Sequence, residues 1–266
     1  MARRNSEVFL LRVALPVCLW VLCVSAAPTR AQAPNLASSY ISRGNASYKE
    51  GRFVDAISDY EAALAFAPDS AIALNNRGTA KSKRGDIDGA LADFEAALKI
   101  NSRMTQAYCN RGNALMTLSR FKEAVDDFTR AIEIDPRHAL AYYNRGTARI
   151  ALDELDDAIK DFDMAVKLKP GYCEAFNNRG AIRLLRRDLD RAVADFDKAL
   201  ALDPEYVPSH GNRCLARLIQ GRNEEASQDF EAAIRQDPSF KTTLEKQIEA
   251  LRLPNRLNDH GFSNTP

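Results

Sequence analysis

Tryptophan occurs once, histidine three times and glycine only twelve times in 266 residues, and neither sign of charge prevails, with 37 lysines and arginines against 36 aspartates and glutamates. The near balance leaves nothing to steer the whole molecule onto a phosphate backbone or an anionic membrane surface, so nucleic acid is not an expected partner. His138, His210 and His260 stand far apart with no zinc-ligand spacing around them, and no glycine-rich phosphate cradle occurs. Neither a cofactor nor a metal is expected, and the chain reads as a non-enzyme. Paired carboxylates such as Asp126-Asp127 and Asp156-Asp157 read as solvated helix faces. What is present is the composition of an ordinary folded protein, 45% hydrophobic and 27% charged, able to bury a sizeable core.

Residues 1–33 read as a secretory signal peptide. Arg3 and Arg4 precede an apolar run from Val13 to Ala27, and small residues continue to Ala31-Gln32-Ala33. Pro28 and Pro34 disfavour cleavage after Ala27 or Ala33, which leaves Ala31 as the compromise. The competing reading is an uncleaved anchor, since Val8 to Ala27 could span a bilayer, although Arg12 and Pro16 interrupt it. A membrane is a partner only in that case; otherwise the expected location is periplasmic or secreted. Of the five cysteines, Cys18 and Cys23 leave with the signal, and Cys109, Cys173 and Cys214 remain. An odd number in an oxidising compartment leaves at least one thiol unpaired. Their separation by many helical turns predicts three buried or half-buried free thiols.

Self-similarity decides the architecture. Gly44, Gly78, Gly112, Gly146 and Gly180 recur every 34 residues, with Cys214 in the sixth place. The same step carries Ala56 to Ala226, Tyr60 and Phe94 to Phe230, and Ala63 to Ala233, while Pro68, Pro136, Pro170, Pro204 and Pro238 close five of six units. Within a unit, a first helix ends at a short turn such as Lys49-Glu50-Gly51-Arg52, where glycine can take positive φ. In the second helix, alanine, aromatic and alanine fall at i, i+4 and i+7, one amphipathic stripe. Proline then stops the helix and turns the chain into the next hairpin. After the last unit, Phe240, Leu244, Ile248 and Leu251 line one face of a helix over 241–253, backed by Lys241, Glu245, Lys246 and Glu249. Such a polar-backed helix caps a repeat array, which predicts a monomer. Residues 254–266 read as a flexible tail.

Small residues, aromatics and proline at a 34-residue step over about four fifths of the chain resemble the tetratricopeptide repeat family. The resemblance implies an all-α, right-handed solenoid of six helical hairpins, at 37–70, 71–104, 105–138, 139–172, 173–206 and 207–240, plus the C-terminal capping helix. It departs from the family where Tyr40, Leu74, Tyr108, Tyr142, Phe176 and His210 replace an early tryptophan, and where unit six carries Gly211 and Cys214; unit six is expected to be the loosest.

An aspartate recurs in every second helix (Asp59, Asp93, Asp127, Asp161, Asp195, Asp229) and an arginine before every glycine place (Arg43, Arg77, Arg111, Arg145, Arg179, Arg213). Their one-to-one match reads as a structural ladder, with the arginine stem buried and its fork on the carboxylate. The candidate site is one residue earlier, at Asn76, Asn110, Asn144, Asn178 and Asn212, joined by Asn45 and Asn113 from the next turn. In the family that face of the first helices lines the concave groove. Asparagine is a mediocre helix former, yet its amide can give and take hydrogen bonds with a peptide backbone. Tyr143 is the expected aromatic anchor, and Asn75, Cys109 and Asn177 are the expected flanking selectors. Clamps for acidic chaperone tails place lysines and an arginine where this chain has Ile41, Gln106 and Asn110, so the resemblance does not extend to that role.

The function these features imply is that of an exported scaffold or adaptor holding a protein or extended peptide in the groove. The alternative is an envelope-organising structural protein that self-assembles or stays tethered. N-terminal sequencing of the exported chain is expected to find a start between residues 27 and 34; Met1 or Ala2 on membrane-bound protein would establish the anchor instead.

Overall fold

The computed structural model describes residues 33–250. The expected signal segment up to residue 32, with Cys18 and Cys23, lies outside the described residues, as do Leu251, the end of the expected cap, His260 and the tail. Ala33 opens the first helix. Among the described residues there are thirteen helices and no strand: α1 Ala33–Lys49, α2 Phe53–Phe66, α3 Ala71–Lys83, α4 Ile87–Ile100, α5 Thr105–Thr117, α6 Phe121–Ile134, α7 Ala139–Ala151, α8 Leu155–Leu168, α9 Cys173–Leu185, α10 Leu189–Leu202, α11 Val207–Ile219, α12 Asn223–Gln236 and α13 Phe240–Ala250. Odd and even helices pair into six hairpins. Neighbouring first helices also approach one another, α1 with α3, α3 with α5, α5 with α7 and α9 with α11, whereas second helices do not to a comparable degree. The hairpins therefore stack into a solenoid whose inner face is made by the first helices.

The repeated small and aromatic residues set the hairpin spacing. Both alanines of every second helix have no exposed surface, and the aromatic between them is at most 4% exposed. The ring lies against the glycine of the first helix: a methyl group on Gly112 would stand 2.7 Å from Phe128 Cε1, closer than packed carbons approach. Adding it would force the helices apart, at a cost of about 1–3 kcal/mol. Unit six reaches closure differently. Cys214 and Leu218 are fully buried, and Phe240 and Leu244 of α13 pack over Gly211 and the α11–α12 pair. Helix α13 supplies apolar surface over this unit, while Arg217 Nε, Asn223 Oδ1 and Ser227 Oγ are buried in it without a hydrogen-bond partner, a physical ground for the expected looseness. The polar residues Lys241, Glu245, Lys246 and Glu249 face solvent behind α13.

Behind each hairpin runs the arginine–aspartate ladder. The six aspartates are only 2–6% exposed, and each accepts a forked pair of hydrogen bonds from the arginine sixteen residues earlier, for example 2.9 and 2.6 Å for Arg77–Asp93 and 2.8 and 2.6 Å for Arg111–Asp127. Asp127 therefore belongs to the interior and not, as its pairing with Asp126 suggested, to a solvated face; only Asp126 is exposed. Four of the aspartates hold a second cation that the repeat pattern did not single out: Lys81 on Asp93 at 2.9 Å, Arg149 on Asp161 and Arg183 on Asp195 at 2.6 Å, and Arg217 on Asp229 at 2.7 Å. Arg179 and Arg213 also reach back one unit, to Asp163 and Asp197, both at 2.6 Å. Removing one partner of such a buried pair strands a charge and costs about 3–5 kcal/mol.

All six turns inside the hairpins place one residue at positive φ, again at a 34-residue step: Gly51 at 75°, Gly85 at 86°, Ser119 at 58°, Asp153 at 60°, Arg187 at 61° and Gly221 at 79°. Glycine takes this conformation freely, whereas the β-carbon of an L-residue costs about 1–2 kcal/mol there. The loss of unfolded-state freedom that arginine brings offsets about 0.4–1 kcal/mol of that. Arg187→Gly is therefore expected to stabilise the fold by roughly 0.5–1 kcal/mol in denaturant unfolding. A destabilised variant would show that the exposed arginine makes a contact worth more than the strain.

Candidate functional site

Along the inner face the asparagines form a chain from unit to unit. Asn76 Nδ2 donates to Asn45 Oδ1 at 3.0 Å, and Asn110 Nδ2 donates to Asn75 Oδ1 at 2.9 Å and Thr79 Oγ1 at 3.1 Å. Asn144 Nδ2 donates to Asn113 Oδ1 at 2.9 Å, Asn178 Nδ2 to the Tyr143 hydroxyl at 3.4 Å, and Asn212 Nδ2 to Asn177 Oδ1 at 3.1 Å. All eight predicted site residues thus lie on one continuous face. These amides do structural work as well, since each bond ties a first helix to the one before it. A net contribution of about 0.5–1.5 kcal/mol per bond is ordinary for such pairs. An amide nitrogen carries two hydrogens, so Asn76, Asn144, Asn178 and Asn212, each spending one on its neighbour, keep another for a ligand.

Three of the expected selectivity residues are not at the surface. Asn75, Cys109 and Asn177 are 3%, 1% and 6% exposed, wedged between first helices. Helix periodicity put them beside the asparagines, but the close approach of the next first helix covers them. Tyr143 is half-buried: its ring packs 4.7 Å from Tyr172 and 5.9 Å from Phe162, and burial raises its hydroxyl pKa. It is a wall of the groove and not a free-standing anchor.

The residues three and seven places after each groove asparagine share its helix face. They change steadily along the solenoid: Asn45 and Lys49 in unit one, Thr79 and Lys83, Asn113 and Thr117, Thr147 and Ala151, Ala181 and Leu185, then Leu215 and Ile219 in unit six. Amide, hydroxyl and lysine side chains give way to aliphatic ones, of which Leu185 is exposed and Leu215 is buried. At the polar end, Asn45, Asn76, Asn110, Gln106, Tyr48 and Tyr60 line a hollow of about 240 Å³ with no charged group. At the other end Leu185 is 72% exposed. The gradient is written in the sequence, but a 34-residue repeat picks out the places that stay the same and not those that vary.

Comparison with known proteins places this geometry. Tetratricopeptide repeat models match residues 41–105 and, unit by unit, 105–138, 139–172 and 173–206. No curated protein matches the sequence significantly. Among solved structures, Pseudomonas aeruginosa PilF aligns with a TM-score of 0.74 at 17% identity, covering 84% of this chain and 100% of that one. YrrB, described as a tetratricopeptide repeat protein with an unusual peptide-binding site, aligns with a TM-score of 0.61 at 24% identity, covering 72% and 97%. MamA aligns with a TM-score of 0.57 at 24% identity, covering 65% and 96%. At these identities the likeness concerns the fold.

Reactive groups on the described residues are committed elsewhere. His138 Nδ1 caps α7 by accepting from Ala141 N at 3.1 Å, and buried His210 has Nε2 2.9 Å from the Pro204 carbonyl. The described residues hold no cluster of His, Cys, Asp and Glu suited to a metal, and no helix among them is long and apolar enough to cross a membrane. All three described cysteines are free and buried; burial pushes Cys109 and Cys214 up to about 12 and Cys173 to about 11. The thiolate is the reactive form, so at neutral pH none is a ready nucleophile. In a chain lacking Cys18 and Cys23, a thiol reagent at pH 8 is expected to modify the native protein very slowly and all three cysteines at once on unfolding. Rapid labelling of one native thiol would reveal local opening around it.

Proposed function

Since the chain belongs to the tetratricopeptide repeat family, whose solenoids serve protein–protein interaction, we propose that it is an exported scaffold or adaptor that holds an extended segment of a partner protein in the groove of its first helices. The observation that carries this reading is the inner face itself. Its amides, with the Tyr143 hydroxyl, link each unit to the next, and the residues beside them pass from polar ones, Lys49 and Lys83 included, to aliphatic ones.

Packed helices lie about 8–10 Å apart and an extended peptide advances about 3.3 Å per residue, so one asparagine meets roughly every third peptide residue. Amide contacts to a peptide backbone are indifferent to side chains. Selection then falls to the gradient: hydroxyl and amide side chains of the partner over units one to three, aliphatic ones over units five and six. The fold shared with YrrB, a protein with a peptide-binding site, supports this use of the groove. Export rests on the charged and apolar pattern of the first 33 residues.

The partner is to be captured from the envelope fraction with the mature chain as bait, and its binding segment then measured against variants. Because Leu185 is exposed, Leu185→Asp is expected to leave stability unchanged and weaken binding at least tenfold, about 1.4 kcal/mol. The triple variant Asn110→Ala, Asn144→Ala, Asn178→Ala is expected to weaken binding at least as much while keeping its helical spectrum, with a lower unfolding midpoint because cross-unit bonds are lost. If both variants hold the partner as wild type does, binding lies outside the groove.

A further inference from the structure

Unit three lacks a cation that its neighbours possess. The place held by Lys81, Arg149, Arg183 and Arg217 in units two, four, five and six is Leu115 in unit three, and Leu115 turns inward, 4% exposed, against Ala124, Phe128 and Ala148. A cleft of about 360 Å³ stands there instead, between α4, α5 and α6. Glu95, Glu123, Asp126 and Asp127 line it with Arg111 and Arg120, and Lys99 pairs with Glu95 at 2.8 Å. None of these residues belongs to the groove stripe.

Unit six shows what such a cleft can hold. Arg217 places Nη1 2.7 Å from Asp229 and Nη2 3.3 Å from Glu225, bridging the two carboxylates that correspond to Asp127 and Glu123. Arg222 binds Glu225 at the same time, at 2.7 Å, as Arg120 binds Glu123 at 2.7 Å. A guanidinium therefore fits beside that outer pair, and Arg120 does not fill the vacant place. The charge state agrees. Burial pushes the Asp127 carboxyl above its ordinary range despite Arg111, whereas for Asp229 the combined effect of His210, Arg213 and Arg217 outweighs burial and brings it below. The mouth of the cleft is open, with the Glu95 and Glu123 side chains 58% and 55% exposed. These carboxylates are not gathered into a metal-binding cluster, and two separated acceptors suit a planar fork better than a compact ammonium.

We propose that the cleft between α4, α5 and α6 receives the guanidinium of an arginine side chain from a second polypeptide, which occupies in unit three the place that Arg217 occupies in unit six. The solenoid thereby has a second contact point, separate from the groove.

The test is titration of the full chain with N-acetylarginine amide at constant ionic strength, followed by backbone amide NMR shifts. Saturable shifts confined to the neighbourhood of Glu95, Leu115, Glu123 and Asp127 are expected, with N-acetyllysine amide at least tenfold weaker. Free arginine, whose own carboxylate meets Glu95 and Asp126, is expected to bind more weakly than the capped form; tighter binding of free arginine would overturn a polypeptide source. Leu115→Arg, filling the cleft from within, is expected to abolish the response. Glu123→Gln, a surface change that spares the ladder, is expected to weaken it about tenfold. Arg217→Leu is expected to create a second, weaker site in unit six, where Gln228 stands in the place of Asp126 and Arg213 holds Asp197. Absence of saturable shifts in the wild type, equal binding of the lysine probe, or binding that survives in folded Leu115→Arg would each overturn the proposal.

Discussion

A buried aspartate in every second helix is the constraint on which the solenoid depends. A carboxylate at 2–6% exposure is tolerable only if a cation meets it with good geometry. The arginine sixteen residues earlier supplies that cation through a fork whose two bonds fix both distance and rotation between the helices of a hairpin. Apolar packing of alanine, aromatic and glycine brings the helices together, but it would tolerate small rotations that the fork does not. Where Arg179 and Arg213 also hold Asp163 and Asp197, the same side chain sets one hairpin against the next. Aromatic rings steady several of these guanidinium groups: Arg111 lies 5.7 Å from the Tyr108 ring centre and Arg179 lies 5.3 Å from that of Phe176. Such rings occupy the place where the family often has tryptophan.

With geometry secured behind the hairpins, the inner face is free to differ from unit to unit. Solenoid units touch only their neighbours, so a change at a groove position disturbs little beyond it. The passage from Asn45 and Lys49 to Leu185 and Ile219 uses that freedom, while the asparagine stays from unit two to unit six because it also joins the first helices. Leu115 illustrates the same principle on the other side: one ladder position can lose its cation without loss of the fold, since Arg111 still answers Asp127.

The sequence by itself determined the repeat length, the division of each unit into two helices, the Arg–Asp pairing and the cap, because each is a matter of spacing along one chain: a 34-residue step, a 3.6-residue helical period, a proline that ends a helix. It also placed the eight groove residues on one face. The tertiary structure alone decided what those residues touch. Whether Asn75, Cys109 and Asn177 look into the groove or into the next helix depends on how closely successive hairpins approach, which no single-helix period encodes. Likewise Asp126 and Asp127 are adjacent in the chain, and only Asp127 keeps the repeat step; α5 meets that one through Arg111 and leaves the other in water. Burial is a property of neighbours distant in the chain, so it had to be seen in the stacked hairpins.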